Sequence, residues 1–287
     1  MIPAYYSETI QTFSPELDLS QAVFNQDGLV NDVVLIQDRV FRFAKNETWA
    51  LELLEQELKI LKLLQPCFTL KIPEPVRLTK TCISYAFLPG QAFSLSQYDK
   101  LSLRQRADLS KQYARALLEL HGVPQERLLA EGIKASDAVR DRETWLNLYA
   151  DLQQELYPHI MQSQRAYIDD IFTPIVTRDL ALSYEPKLIH ADLAPYHVLF
   201  DPVAKSLTGL IDFGTAGLGD PATDLAVILV NYGKAFSYGL FNHYPELQTY
   251  LPRARFWAKT LELQWALQSL RKKEAFWFTA HLGLKPL

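Results

Sequence analysis

The chain has 287 residues, 48% of them hydrophobic and 22% charged, which excludes a disordered chain and fits a soluble globule of one large domain or two lobes. Lysine and arginine number 29 against 33 aspartates and glutamates, a net charge of −4, so no basic excess exists to neutralise a nucleic-acid backbone. Two cysteines, Cys67 and Cys82, exclude a disulfide framework and suit a reducing, cytoplasmic setting.

The opening residues MIPAYYSETI carry neither the basic start nor the apolar core of an export signal, so an exported protein is not expected. The first ninety residues read as strands with one helix. Val33–Ile36 and Val40–Phe43 are strand-like and joined by Gln37-Asp38-Arg39, which predicts a hairpin. Asn46 is placed to cap a helix from Thr48 to Leu64, where Leu51, Leu54, Leu58 and Leu61 recur at helical spacing and Pro66 stops the run. Two further strands are expected at Val76–Leu78 and Ile83–Phe87, and Pro89-Gly90 marks a boundary between lobes 1–87 and 88–287.

Beyond Leu101 the periodicity turns helical, with helices expected at Arg104–Leu120, Arg142–Leu156 and Gln164–Leu182. A β-hairpin, Val198–Phe200 and Leu207–Ile211, interrupts them, and helices resume after Pro221 to about residue 279. No apolar run approaches the roughly 18 residues of a membrane-spanning helix. His121 is expected to cap a helix C-terminus, and Asp220 and Asp224 to cap a helix start. The aromatics Trp257, Trp265, Phe276, Trp277 and Phe278 are expected in the core.

The polar residues with chemical potential gather at the hairpin. The segment His190-Ala191-Asp192-Leu193-Ala194-Pro195-Tyr196-His197 precedes its first strand, and Ile211-Asp212-Phe213-Gly214 follows its second. A tight hairpin brings Asp192, His197 and Asp212 to one end. A pair of carboxylates with a third ligand suits a metal–triphosphate site, because Mg²⁺ takes one or two carboxylates and completes its octahedron with water and phosphate oxygens.

The HxDxxxxH and IDFG segments resemble the catalytic and metal loops of protein-kinase-like small-molecule phosphotransferases, most closely the aminoglycoside and macrolide phosphotransferases. That resemblance implies a two-lobed α+β fold, with a small β-rich lobe covering the nucleotide and a larger, mostly helical lobe. It implies Asp192 beside the attacking hydroxyl and Mg²⁺ or Mn²⁺ at His197 and Asp212. Upstream, Asp27-Gly28 to Val34 and Phe41 to Lys45 resemble the nucleotide-covering hairpin, which places Gly28 and Asn31 near the phosphates. Glu57 matches the helix glutamate that pairs with a strand cation, and Tyr85-Ala86-Phe87 matches the hinge whose backbone meets the purine. Leu120-His121 and Gly219 to Leu225 also have family counterparts, so the matches run over roughly residues 24 to 230.

Three features depart from the wider kinase pattern. No GxGxxG occurs, since Gly28 is the only glycine before Gly90. The strand cation is Arg42 by alternation with Val40, with Lys45, past the strand end, as the second candidate. His197 stands where an Asn is usual, a trait shared with aminoglycoside 2″- and macrolide phosphotransferases. The expected reaction moves the γ-phosphoryl of ATP or GTP to a small-molecule hydroxyl, with the His-bearing subgroup inclining towards GTP. The acceptor is an aminoglycoside, a macrolide or a metabolite alcohol; no nucleic-acid or membrane partner is expected, and the chain is expected to be a monomer or weak dimer. Two rival classes are a nucleotide-binding pseudoenzyme and a metal-dependent hydrolase built on His190, Asp192, His197 and Asp212.

Overall fold

A computed structural model describes residues 2–26, 30–45, 47–138 and 140–272. The small lobe begins with helix α1 (Ala4–Phe13), then strands β1 (Val23–Asn25), β2 (Asn31–Ile36) and β3 (Arg39–Ala44), helix α2 (Thr48–Leu64), and strands β4 (Val76–Arg77) and β5 (Cys82–Ala86). The strands form an antiparallel sheet in the order β1-β2-β3-β5-β4. The expected hairpin is β2–β3, extended at each outer end and turned by Gln37 at φ 54°.

Five of the six β3 residues are buried, so both faces of this strand are covered. Phe41 and Phe43 face a core with Ile10, Val34 and Ile36, while Ala44 packs with Leu54 and Ile83 beneath α2. Helix α1 covers the first face and was not expected. It has no side-chain N-cap and gains its stability from packing, with the Tyr6 ring stacked on Phe43 at 4.1 Å. Helix α2 runs over the expected residues; its N-cap is Glu47, and Asn46 lies outside the described residues.

The larger lobe contains β6 (Gln91–Ala92), α3 (Leu95–Asp99), α4 (Leu103–His121), α5 (Gln125–Ala130), α6 (Arg142–Asp151), α7 (Gln162–Val176), β7 (Lys187–Ile189), β8 (Val198–Asp201), β9 (Ser206–Leu210), β10 (Gly217–Gly219), α8 (Ala222–Leu240, kinked at Gly233) and α9 (Leu247–Lys272). Helix α4 is closed at its start by a capping box between Ser102 and Gln105. The helical run from α6 reaches Leu156, but its last turn, Leu152–Leu156, is π-helical. Helix α7 stops at Val176 rather than Leu182, because Arg178 adopts φ 67° and breaks the ladder. Trp257 is buried as expected and Trp265 is 47% exposed; Phe276, Trp277 and Phe278, and the helix expected to run to about residue 279, lie beyond the described residues after Lys272.

Strands β8 and β9 pair as the expected hairpin, and β6 adds to β8. Strand β10 turns back to pair with β7. The segments carrying Asp192 and Asp212 join these two small sheets, residues 190–197 linking β7 to β8 and residues 211–216 linking β9 to β10. Among the described residues no helix is long and apolar enough to cross a membrane.

Candidate active site

The β8–β9 hairpin positions both loops. Val198 pairs with Leu210, and Ile211 N–H donates to His197 O at 3.0 Å, so the segment before β8 and the segment after β9 meet at one end. Ala191 and Asp212 both hold left-handed backbone, at φ 67° and 63°. Each such residue costs on the order of 1–3 kcal/mol and persists only where its surroundings over-determine it.

Asp224 supplies much of that determination. Its carboxylate, fully buried in the first turn of α8, accepts from His190 N–H at 3.0 Å and Ala191 N–H at 2.7 Å. His121 lies against the same carboxylate, Nε2 3.1 Å from Asp224 Oδ2, and its Nδ1 is 3.3 Å from the Tyr244 hydroxyl. His121 and Asp224 are therefore not helix caps; both belong to a buried brace under the loop. Asp220 does accept from Ala222 N–H at 2.9 Å, as expected near a helix start, and also takes two bonds from Arg253. His190 Nε2–H donates to Ile211 O at 3.1 Å while Nδ1 accepts from Asp192 N–H at 3.3 Å, which joins the two loops. Burial lowers the His190 pKa and keeps that imidazole neutral.

Three charged side chains line the junction. His197 Nδ1–H donates to Asp192 O at 2.8 Å, and its Nε2 stands 3.3 Å from Asp212 Oδ2. Burial works against the imidazolium, but the Asp212 hydrogen bond and the two carboxylates outweigh it and raise the His197 pKa. Burial likewise opposes ionisation of Asp212, yet His197 and Arg42 hold its carboxyl below the usual range. Asp192 is raised by burial, against the opposing charge of His197.

The small lobe contributes the roof. Arg42 and Glu57, 5% and 1% exposed, pair at 2.6 Å, and Arg42 Nη2 lies 3.7 Å from Asp212 Oδ1. Burial disfavours the guanidinium, but the Glu57 carboxylate more than compensates and raises its pKa. Tyr85 is opposite Val40 in the sheet, on the Arg42 face, and burial pushes its phenol up to about 12. Lys45 takes a different direction, with Nζ 3.5 Å from Gln26 O and 3.8 Å from Asp32. Asn31 is buried at the start of β2, and its side-chain oxygen finds no hydrogen-bond partner among the described residues. Phe87 is 45% exposed, and its N–H is committed to Asp38 O at 2.6 Å. Gly28 lies outside the described residues.

The structure thus gathers Asp192, His197, Asp212, Arg42, Glu57 and Tyr85 and leaves Lys45 and Asn31 outside the group. Residues that pattern reading missed are Asp224 as a brace, Gln56 on α2 and the exposed Tyr196, whose ring edge meets His197 at 4.4 Å. Asp224 stood in a repeated-Asp segment, a signal that helix capping explained just as well.

A divalent ion fits the donor set. Two neighbouring octahedral donors at Mg²⁺ distances of about 2.1 Å lie about 3.0 Å apart, close to the 3.3 Å between His197 Nε2 and Asp212 Oδ2. The Nδ1 bond to Asp192 O would leave a neutral His197 with its Nε2 lone pair directed at this position. Among the described residues no group of three or more His, Cys, Asp or Glu converges on a metal position. Two protein donors match the number Mg²⁺ supplements with phosphate and water.

A family model described as the phosphotransferase enzyme family matches residues 22–257. Viomycin phosphotransferase of Streptomyces vinaceus is 26% identical over 128 residues, 44% of this chain and 42% of that protein. The chain spans about half the length, 47% and 42%, of the curated relatives it matches. An aminoglycoside 2″-phosphotransferase solved with GDP and kanamycin superposes with a TM-score of 0.85 at 25% identity, covering 98% of this chain and 97% of that one. A macrolide 2′-phosphotransferase of Brachybacterium faecium shares the fold, with a TM-score of 0.70 at 21% identity and 99% of each chain covered.

Proposed function

The chain belongs to the phosphotransferase enzyme family, and on that premise we propose that it moves the γ-phosphoryl group of ATP or GTP to a hydroxyl of a small molecule. The observation that carries this reading is the meeting of Asp192, His197 and Asp212 at one hairpin end, with the Arg42–Glu57 pair facing Asp212 at 3.7 Å.

The nucleotide lies between residues 1–87 and 88–287, with its base near Tyr85 to Phe87. Arg42 contacts the phosphates, its guanidinium aimed by Glu57, since a buried Arg offers several donors in a rigid fork. Asp192 orients the acceptor hydroxyl and takes its proton as the acceptor oxygen bonds to the γ-phosphorus and the bond to the β–γ bridging oxygen breaks. Its raised pKa brings the carboxylate nearer to the range of an effective base. A divalent ion, Mg²⁺ or Mn²⁺, held by His197 and Asp212 would neutralise charge on the phosphates. His190, Asp224 and His121 hold the loop so that Asp192 needs no reorganisation during transfer.

Relatives named for viomycin, aminoglycosides and macrolides make antibiotic hydroxyls the first acceptor class to try, with metabolite alcohols next. The enzyme acts as a cytoplasmic monomer or weak dimer. Diphosphate release from ATP and from GTP, measured across a panel of hydroxyl compounds, tests the proposal. Acceptor-dependent release with one or both nucleotides is expected; nucleotide binding without turnover across the panel would make the chain a pseudoenzyme.

A further inference from the structure

The Arg42–Glu57 pair belongs to the small lobe and Asp212 to the large one; they meet through the 3.7 Å Arg42–Asp212 contact and a Phe213 N–H bond to Glu57, and a further element registers them. Gln56, the residue before Glu57, bridges that gap. Its Nε2 donates to Ala216 O at 2.8 Å, just past the metal loop, and its Oε1 accepts from Lys134 N–H at 2.9 Å. The segment at Lys134 is itself bound to β10, with Leu218 N–H donating to Lys134 O and Ser136 N–H to Leu218 O. Ser136 Oγ donates to Thr215 O at 2.7 Å. Helix α2, residues 134–136 and the metal loop thus form three layers that the Gln56 amide bonds together, beside the Glu57 carboxylate, which accepts from Phe213 N–H.

Gly217 makes the layers touch. A Cβ there would stand 2.7 Å from Ser136 N, 2.8 Å from Lys134 O and 3.0 Å from Gln56 Nε2. The first two contacts are backbone and cannot swing aside, so any larger residue must separate the layers.

We propose that Gln56 is a positioning residue that locks α2 to the metal loop and so sets the spacing between the phosphate cation Arg42 and the metal carboxylate Asp212. This inference rests on the phosphotransferase reading. The lock is built from main-chain groups on the large-lobe side, so the Arg42–Glu57 pair is held in place before any nucleotide arrives. Without it, Arg42 and Glu57 stay paired, and their register to Asp212 rests on the Phe213 N–H bond and the 3.7 Å Arg42 contact and loosens.

Gln56→Met keeps the side-chain length and removes both bonds; Gly217→Ala attacks the same contact from the other side. Glu52→Gln is the control, because Glu52 meets the same segment only through an exposed pair with Lys134 Nζ. The probes are ADP and GDP, with dissociation constants measured by calorimetry in EDTA and in Mg²⁺, alongside thermal unfolding. The expected result for Gln56→Met and Gly217→Ala is near-unchanged affinity in EDTA and loss of about tenfold of the Mg²⁺-dependent gain, the scale of one or two net hydrogen bonds. Glu52→Gln should match the unmodified chain. Full retention of the Mg²⁺ gain in Gln56→Met overturns the lock alone. Equal losses with and without Mg²⁺, in step with lowered thermal stability, reduce Gln56 to a structural residue and also overturn it. An unmodified chain with no Mg²⁺-dependent gain overturns the phosphotransferase reading, and the lock with it.

Discussion

The buried Arg42–Glu57 pair separates stability from function in one experiment. Arg42→Met strands Glu57, which is 1% exposed and shares its surroundings with Asp212. Removing one partner of such a pair costs about 3–5 kcal/mol, and at about 2–4 °C per kcal/mol for a chain of this size the midpoint should fall by about 6–20 °C. Arg42→Met with Glu57→Met removes both charges and replaces them with apolar groups of similar length, so stability should return to within about 2 kcal/mol of the unmodified chain. Nucleotide affinity should not return. A charge-assisted contact to phosphate is worth about 1.5–3 kcal/mol, so both variants should bind ADP and GDP roughly ten- to a hundredfold more weakly. Arg42→Lys should recover only part of this, because an ammonium does not reproduce the guanidinium fork. Thermal unfolding and calorimetric titration on the same preparations supply both numbers. A double variant that is stable and binds nucleotide as the unmodified chain does would show that Arg42 touches no phosphate and that the pair is only structural.

Lys45→Ala should leave nucleotide affinity within about twofold, since Lys45 points towards Gln26 and Asp32 rather than Asp212; a loss matching that of Arg42→Ala would move the cation role to Lys45. Asp192→Asn should lower kcat by roughly a hundredfold or more with little change in nucleotide dissociation constant. Because burial raises Asp192, the acid limb of kcat against pH should lie above the usual carboxylate range near 4; a flat profile down to that range would refute it. For the metal-free chain the His197 pKa is raised, so its stabilising contribution is full below about 6.5 and is lost as pH rises through the folded value. Unfolding midpoints in EDTA should therefore show a downward step above pH 6.5 that His197→Asn removes, and identical pH profiles for the two proteins would contradict the bridging geometry. Asp224→Asn should leave His121 and the loop amides poorly matched, lowering the midpoint and kcat together; unchanged kcat would show that the brace does not set the position of Asp192.

Much of the local structure was legible in residue order. Leucine spacing and Pro66 delimit α2 at Thr48–Leu64, and alternation along β3 separates Arg42 from Phe41 and Phe43, because helix and strand periods are properties of neighbouring residues. The grouping of Asp192, His197 and Asp212 was readable for the same reason: a short hairpin must return its two flanking segments to one end. Local order could not show α1, which has no side-chain cap and whose Tyr6 and Ile10 pack on the far face of β3. It could not end α7 at Val176, since a left-handed Arg178 has no sequence mark. Nor could it assign His121 and Asp224, 103 residues apart, which Gly122 after the one and Pro221 three residues before the other mark as caps. Their roles come from burial, which removes water as a partner and leaves each polar group only the donors and acceptors that the tertiary fold delivers to it.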